Sequence, residues 1–494
     1  MMTGRRLLSN RSVSFTLIVM CCLICLAGRA FCDLKAGIAL YKSGKLDEAI
    51  AEFKKCAEAD PKDAESRQWL GFLLLKKSDY KGALASLQEA RALNADGAEI
   101  RCNLGMAYSG MGDYNSAVPE FEKALTFRKK WPECLDNLGT AYLRLKEVGK
   151  AIDAYTRAAA AAPNDVDIRN NLALALQEAG KLDDAIAEFR KAAALAPKKA
   201  EIASNLGWAL KRKKDFKAAG SAFGKALAAD PENYQAHLGL AEVYTALGER
   251  DKAAREYEAA VRLKPGDTAS YYNLGVIYLK SGQFAKAAEA FGAVVKATPD
   301  DAEALAYLGW AQFKSGNPKD AVDNLNLATE KDPKLLAAWV NLATVQTAQG
   351  NAADAIKAWQ SVIALSPNNL SAHLNLGSLL LREARPEEAL THYQAAARID
   401  PKSADACFGM GAALSKLGKT DQAIADYRKA TELDPKMATA YNNLGVELEK
   451  RGKVEEAKEQ YRKALKVDPK NDEARRNLER FDEKSDTKAP PASG

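Results

Sequence analysis

Apolar positions recur along the chain every 34 residues, and within each period they fall into two helical stripes. With slots counted from Ala30, apolar side chains recur at slots 4, 7, 8 and 11, one helix face, and then at slots 20, 24 and 27, a second. Slot 7 is Leu in eleven of thirteen periods, and slot 8 is always Gly or Ala, as at Gly37, Gly71, Gly105 and Ala173. Slot 20 is Ala in all thirteen, from Ala49 to Ala457, and slot 24 carries a large residue such as Phe53, Tyr155 or Trp359. Gly fills slot 15 in nine periods, between the two stripes, where a left-handed residue ends a helix. Pro stands at every thirty-fourth residue from Pro163 to Pro469, suited to stopping the second helix and turning into the next period. The pattern predicts two antiparallel helices per period, crossing closely at the small slots 8 and 20.

One such hairpin cannot bury a core by itself, so the periods must stack. The expectation is an all-α solenoid of about thirteen units, with each unit contacting only its neighbours. It occupies residues 31–471, followed by a polar capping helix at 472–484 built around Arg475, Leu478 and Phe481. Residues 485–494, with Pro490-Pro491, are expected to be a disordered tail. The second and third periods lack the terminal Pro, having Ala95 and Lys129 instead, and Pro119 is expected to loosen the first turns of its helix.

The start of the chain differs. Arg5, Arg6 and Arg11 precede an uncharged, mostly apolar stretch from Val13 to Ala27, and Gly28-Arg29-Ala30 follows. These are the features of a secretory signal peptide over residues 1–30, with cleavage after Ala30 fitting best. The alternative is a retained membrane anchor formed by residues 13–28, although the apolar stretch is short of the ~20 residues that span a bilayer. Neither Cys25 nor Cys32 has the small and Leu neighbours of a lipid-accepting Cys. Export to a periplasm or cell envelope is the expectation.

Charge adds little. The 71 Lys and Arg against 65 Asp and Glu give +6, and setting aside the four leader Arg leaves 67 against 65. A near-neutral body argues against nucleic-acid binding. The cysteines beyond the leader, Cys32, Cys56, Cys102, Cys134 and Cys407, are odd in number and scattered, so they read as small buried thiols; pairing of Cys102 with Cys134 stays open. Of the three His, His237 and His373 occupy slot 4 and are expected to be packing residues. His392 lies on the second helix of the same repeat as His373, but no Cys or carboxylate set at ligand spacing accompanies them, so no metal is expected. Each Gly belongs to slot 8, slot 15 or a scattered helix position, which excludes a phosphate-cradling loop, and no cofactor or catalytic centre is expected.

The slots resemble the tetratricopeptide repeat, whose Leu-Gly, Tyr, Ala, Phe and Pro positions they match over nearly the whole chain. The resemblance implies a right-handed superhelix with a concave groove that takes a protein or an extended peptide. It also implies that first helices line that groove through slots 2, 5, 6, 9, 12 and 13. Slot 6 is Asn at Asn103, Asn137, Asn171, Asn205, Asn273, Asn341, Asn375 and Asn443. Each Asn offers a donor and an acceptor to a peptide backbone; equally, each can bond a neighbouring repeat. Trp208 and Trp310 in slot 9, with Tyr272 and Phe408 in slot 5, are the candidate anchors. The Asn-Leu-Gly units are similar to the repeats of O-linked N-acetylglucosaminyl transferases, but no catalytic domain follows them here. The expected function is therefore a non-catalytic protein-binding scaffold. The alternatives are a membrane-tethered assembly factor for a secretion, pilus or polysaccharide-export complex, and an accessory subunit of a glycosyltransferase system.

Overall fold

The computed structural model describes residues 33–93 and 95–486, the last six as backbone only. The leader expected at residues 1–30 lies outside the described residues, as does the chain beyond residue 486. The described chain is all helix and turn, with a first and a second helix in each 34-residue repeat. In repeat 6 these are Ala200–Arg212 and Phe216–Ala229, and the same registers return in repeat after repeat to Ala438–Lys450 and Val454–Val467. One further helix, Asp472–Asp486, caps the end. No described helix is long and apolar enough to cross a membrane.

The chain divides into two bodies, one up to Gly248 and one from Glu249. Within each, a helix packs on its hairpin partner and on the adjoining repeat. First helices of consecutive repeats also touch each other, as in repeats 2 and 3, 6 and 7, 9 and 10, and 11 and 12. Second helices make no comparable contact with one another among the described residues. The first-helix side is thus the closer-packed side of each stack.

The turn between the two helices follows one rule throughout. Slot 15 has positive φ in all nine repeats with Gly and in the four without it, at Ser78, Lys146, Lys214 and Ala384. The sequence marked the glycines; the four exceptions show that the hairpin imposes the left-handed residue whatever the side chain.

The core is built from slots 20 and 24. Every slot-20 Ala is fully buried, and the slot-24 residues are at most 5 % exposed. Slot 8 is small mainly because the slot-24 side chain of the same repeat lies on it. A Cβ on Gly207 would come within 2.6 Å of the Phe223 ring, and one on Gly445 within 2.6 Å of Tyr461. Backbone approach, the reason expected from sequence, contributes at Gly309, where the Ala321 carbonyl oxygen would lie 2.9 Å away. Helix ends are capped as their residue types suggest: the side chains of Asp165, Asn233, Asp301 and Asn369 accept backbone N–H groups of the first turn.

Local departures are small. The helix Tyr114–Phe127 continues through Pro119, its sixth residue, without a break. The missing Pro at Lys129 is compensated by Pro132, which opens the next helix at its first position. The missing Pro at Ala95 accompanies a second helix that ends at Ala92.

Candidate functional site

Slot 4 supplies donors to the preceding repeat. Arg169 Nε donates to the Pro163 carbonyl at 2.7 Å, Trp339 Nε1 to Pro333 at 3.0 Å, and Arg475 to Pro469 at 2.5 Å. His237 Nε2 meets the Pro231 carbonyl at 3.0 Å and His373 Nε2 the Pro367 carbonyl at 3.1 Å. Packing alone, the sequence expectation for the two histidines, misses this bond. The signal was legible: Arg, His and Trp share a side-chain N–H, and the carbonyl before each turn needs a donor.

His373 also meets His392, with the two Nδ1 atoms 3.1 Å apart. The carbonyl at Nε2 requires that His373 carry its proton there, so His392 Nδ1–H donates to the bare His373 Nδ1. The equivalent slots 4 and 23 hold ion pairs elsewhere: Arg101–Glu120 at 2.8 Å and Arg169–Glu188 at 2.6 Å. The histidine pair thus takes the place of an intra-repeat ion pair.

The asparagine column divides in the structure. Asn171 Nδ2 donates to Asp136 at 3.0 Å and Asn205 Nδ2 to Asn170 at 2.9 Å. In the capping helix Asn477, at the same register, donates to Asn442 at 3.0 Å. Slot 6 of one repeat thereby ties to slot 5 of the repeat before it. Asn137 turns back to the Glu133 carbonyl of its own helix at 2.9 Å. Asn103, Asn341 and Asn443 are half-buried, while Asn273 and Asn375 are exposed.

Residues that replace Asn in slot 6 show why the column lies at the junction. Trp69 stacks on Phe53 with planes 10° apart, and Tyr307 on Phe291 at 11°, each against the slot-24 ring of the preceding repeat. Gly239 occupies slot 6 where a Cβ would meet the Phe223 ring at 2.2 Å.

The candidate anchors are all half-buried. Tyr272 sits edge-on to both Phe291 and Tyr307, and Phe408 leans on Tyr427 at 5.7 Å. Burial, with Tyr307 adding, pushes the Tyr272 hydroxyl pKa up. Trp310 packs against Phe313 at 5.7 Å, with Lys314 over its ring at 5.2 Å. Trp208 stands edge-on to Phe223 at 5.5 Å, and Lys211 lies 4.7 Å above its ring.

Trp208 lines a defined cleft. Leu174, Gln177, Asn205, Trp208, Gln235 and Leu238 enclose about 300 Å³. They come from slots 9 and 12, 6 and 9, and 2 and 5 of three consecutive first helices. The basic run beside it is engaged in the fold: Lys211 pairs with Glu242 and Lys213 with Asp183, while Lys214 is the left-handed turn residue.

Cys102, Cys134 and Cys407 are buried free thiols, as expected. The Cys134 thiol, then burial, push the Cys102 pKa far upward, which leaves it protonated and unreactive. Cys56 departs from the expectation of unpaired thiols: it is disulfide-bonded. A scattered, odd set of cysteines did not signal that bond.

No curated protein matches the chain. Among solved structures it is similar to YrrB, "a TPR protein with an unusual peptide-binding site", at 23% identity over 39% of this chain and 99% of that one, TM-score 0.36. The C-terminal part of a TPR repeat-containing protein from Cytophaga hutchinsonii matches at 18% identity over 48% of this chain and 98% of that one, TM-score 0.44. The APC/C hetero-tetramer Cut9-Hcn1 matches at 17% identity over 90% and 94%, TM-score 0.35. Models of the tetratricopeptide repeat match residues 40–101, 98–130, 137–200, 170–226, 210–277, 272–335, 340–404, 413–450 and 438–471. With helix pairs in the same 34-residue register through the described chain, this chain belongs to the tetratricopeptide repeat family.

Proposed function

We propose that the chain is a non-catalytic scaffold that binds a protein or an extended peptide along its first helices, in an exported compartment. The observation that carries the binding reading is the cleft at Trp208, where three first helices combine apolar walls at Leu174 and Leu238 with amide side chains at Gln177, Asn205 and Gln235. Apolar surface with a few placed polar groups is the composition that holds a polypeptide. Exposed Asn273 and Asn375 extend the reading to the second body. Export is supported by the basic and apolar leader.

Photo-crosslinking residues placed at Gln235, Asn273 and Asn375 test the binding reading in cells, with Arg190 and Lys225 on second helices as controls. A common polypeptide captured from the first-helix positions and not from the controls is the expected result. Equal capture from both sides overturns the reading. N-terminal sequencing of the chain purified from cells should begin at Phe31; a chain starting at Met1 or Met2 in the membrane fraction would support the tethered alternative.

A further inference from the structure

We infer that the Trp208 cleft contains a subsite for one residue of an extended backbone, whose C=O and N–H face the same side, held by the Trp208 indole N–H and the Gln177 side-chain carbonyl. The inference rests on the peptide-binding reading above and specifies its chemistry. Trp208 Nε1 and Gln177 Oε1 are both closed to water and both lack a hydrogen-bond partner. They line the same cleft. An unpartnered buried donor or acceptor is costly, and native structures rarely keep one without a use. Here an orphan donor and an orphan acceptor occur together.

The register sharpens the point. Gln177 occupies slot 12 of repeat 5 and Trp208 slot 9 of repeat 6. Those slots hold an ion pair at the next junction, Lys211 with Glu242, and another at the capping helix, Glu449 with Arg480. At the Gln177–Trp208 junction the two groups are left open. An indole N–H can only donate and an amide oxygen can only accept. Together they match the carbonyl and the N–H that an extended backbone presents. A carboxylate or phosphate would satisfy the indole but not the Gln oxygen, and a cation the reverse. Because both atoms are shielded in the free protein, binding must rotate the Gln177 amide about its soft terminal torsion. Trp208, fixed edge-on to Phe223 and capped by Lys211, stays in place.

The test uses the full chain labelled with 5-fluorotryptophan, in which Trp208→Phe identifies the Trp208 resonance. The probe is acetyl-(Ala-Gly)4-amide, which offers backbone and almost no side chain. A saturable shift of the Trp208 resonance is expected. Affinity for the fluorescein-labelled probe should fall roughly three- to tenfold in Trp208→Phe, which keeps the ring and loses the N–H, and similarly in Gln177→Leu. The double variant should be little weaker than either single one, because both contact the same backbone residue and losing one contact frees the other. Circular dichroism confirms that each variant is folded. If the probe moves the Trp310 resonance and leaves Trp208 unmoved, the subsite is overturned while peptide binding stands. If Trp208→Phe binds as tightly as the parent chain, the indole N–H is not a ligand and the inference fails. If the probe does not bind at all, backbone recognition is overturned, and the wider reading is judged by the crosslinks.

Discussion

The Asn205 side-chain amide donates to Asn170 Oδ1 at 2.9 Å across the junction of repeats 5 and 6. A column that reads as a groove device is, at this position, a tie between repeats. Asn205→Ala should lower stability by about 0.5–1.5 kcal/mol, while exposed Asn273→Ala should change it by less than about 0.5 kcal/mol. Adding Asn170→Ala to Asn205→Ala should cost little more, since the shared bond is already gone. Urea unfolding of the three variants checks this. Equal losses at Asn205 and Asn273 would contradict the assignment.

Ala384 has φ of +56° in the slot that nine other repeats fill with Gly. A side chain in the left-handed region is strained by about 1 kcal/mol or more, offset in part by the greater freedom of Gly in the unfolded chain. Ala384→Gly is therefore expected to stabilise the chain by about 0.5–1 kcal/mol. The reverse change at Gly112, φ +81°, should destabilise it by about 1 kcal/mol. Thermal melts of the two variants should shift in opposite directions.

Gly207 lies under the Phe223 ring, where an added Cβ would come to 2.6 Å. Ala173 and Ala343 fill the same slot, fully buried, in repeats whose slot 24 holds Phe189 and Trp359, so the slot admits a methyl group in those repeats. Gly207→Ala should cost less than about 1.5 kcal/mol, and Gly207→Leu about 1–3 kcal/mol or more. Denaturant midpoints decide the matter; a Leu variant as stable as the Ala variant would show that the ring does not set the slot.

Burial, and after it His373, hold the His392 imidazole below its ordinary pKa, with Glu388 opposing. The folded chain then binds fewer protons here than the unfolded chain. The site's stability is whole above about pH 6.5 and is lost as pH falls through the folded pKa. Melting temperature measured from pH 7.5 to 5 should drop more for the parent chain than for His392→Gln. The double variant His373→Arg with His392→Glu, copying the Arg169–Glu188 pair, should fold and lose this part of the pH dependence. Parallel curves for all three would rule the histidine pair out as its source.

The sequence by itself determined the period, the two helices in each repeat, their small crossing slots and their left-handed turns. Those features are local or repeat at fixed spacing: slot 20 is Ala in all thirteen repeats, slot 8 is always Gly or Ala, and slot 15 is Gly in nine. The slot-15 turns at Ser78, Lys146, Lys214 and Ala384 were hidden because the hairpin overrides the residue preference there. What only the tertiary structure decided is where each polar side chain finds its partner. Asn171 and Asn273 occupy the same slot, yet Asn171 reaches Asp136 because repeat 4 presents an acceptor in slot 5, where repeat 7 has Leu238. His373 and His392 lie 19 residues apart and meet only because the hairpin folds slot 4 onto slot 23. The unpartnered Trp208 and Gln177 atoms could not be read in advance either. Whether a donor is satisfied depends on positions across two repeats to within an ångström or less, a quantity that packing fixes and residue spacing does not.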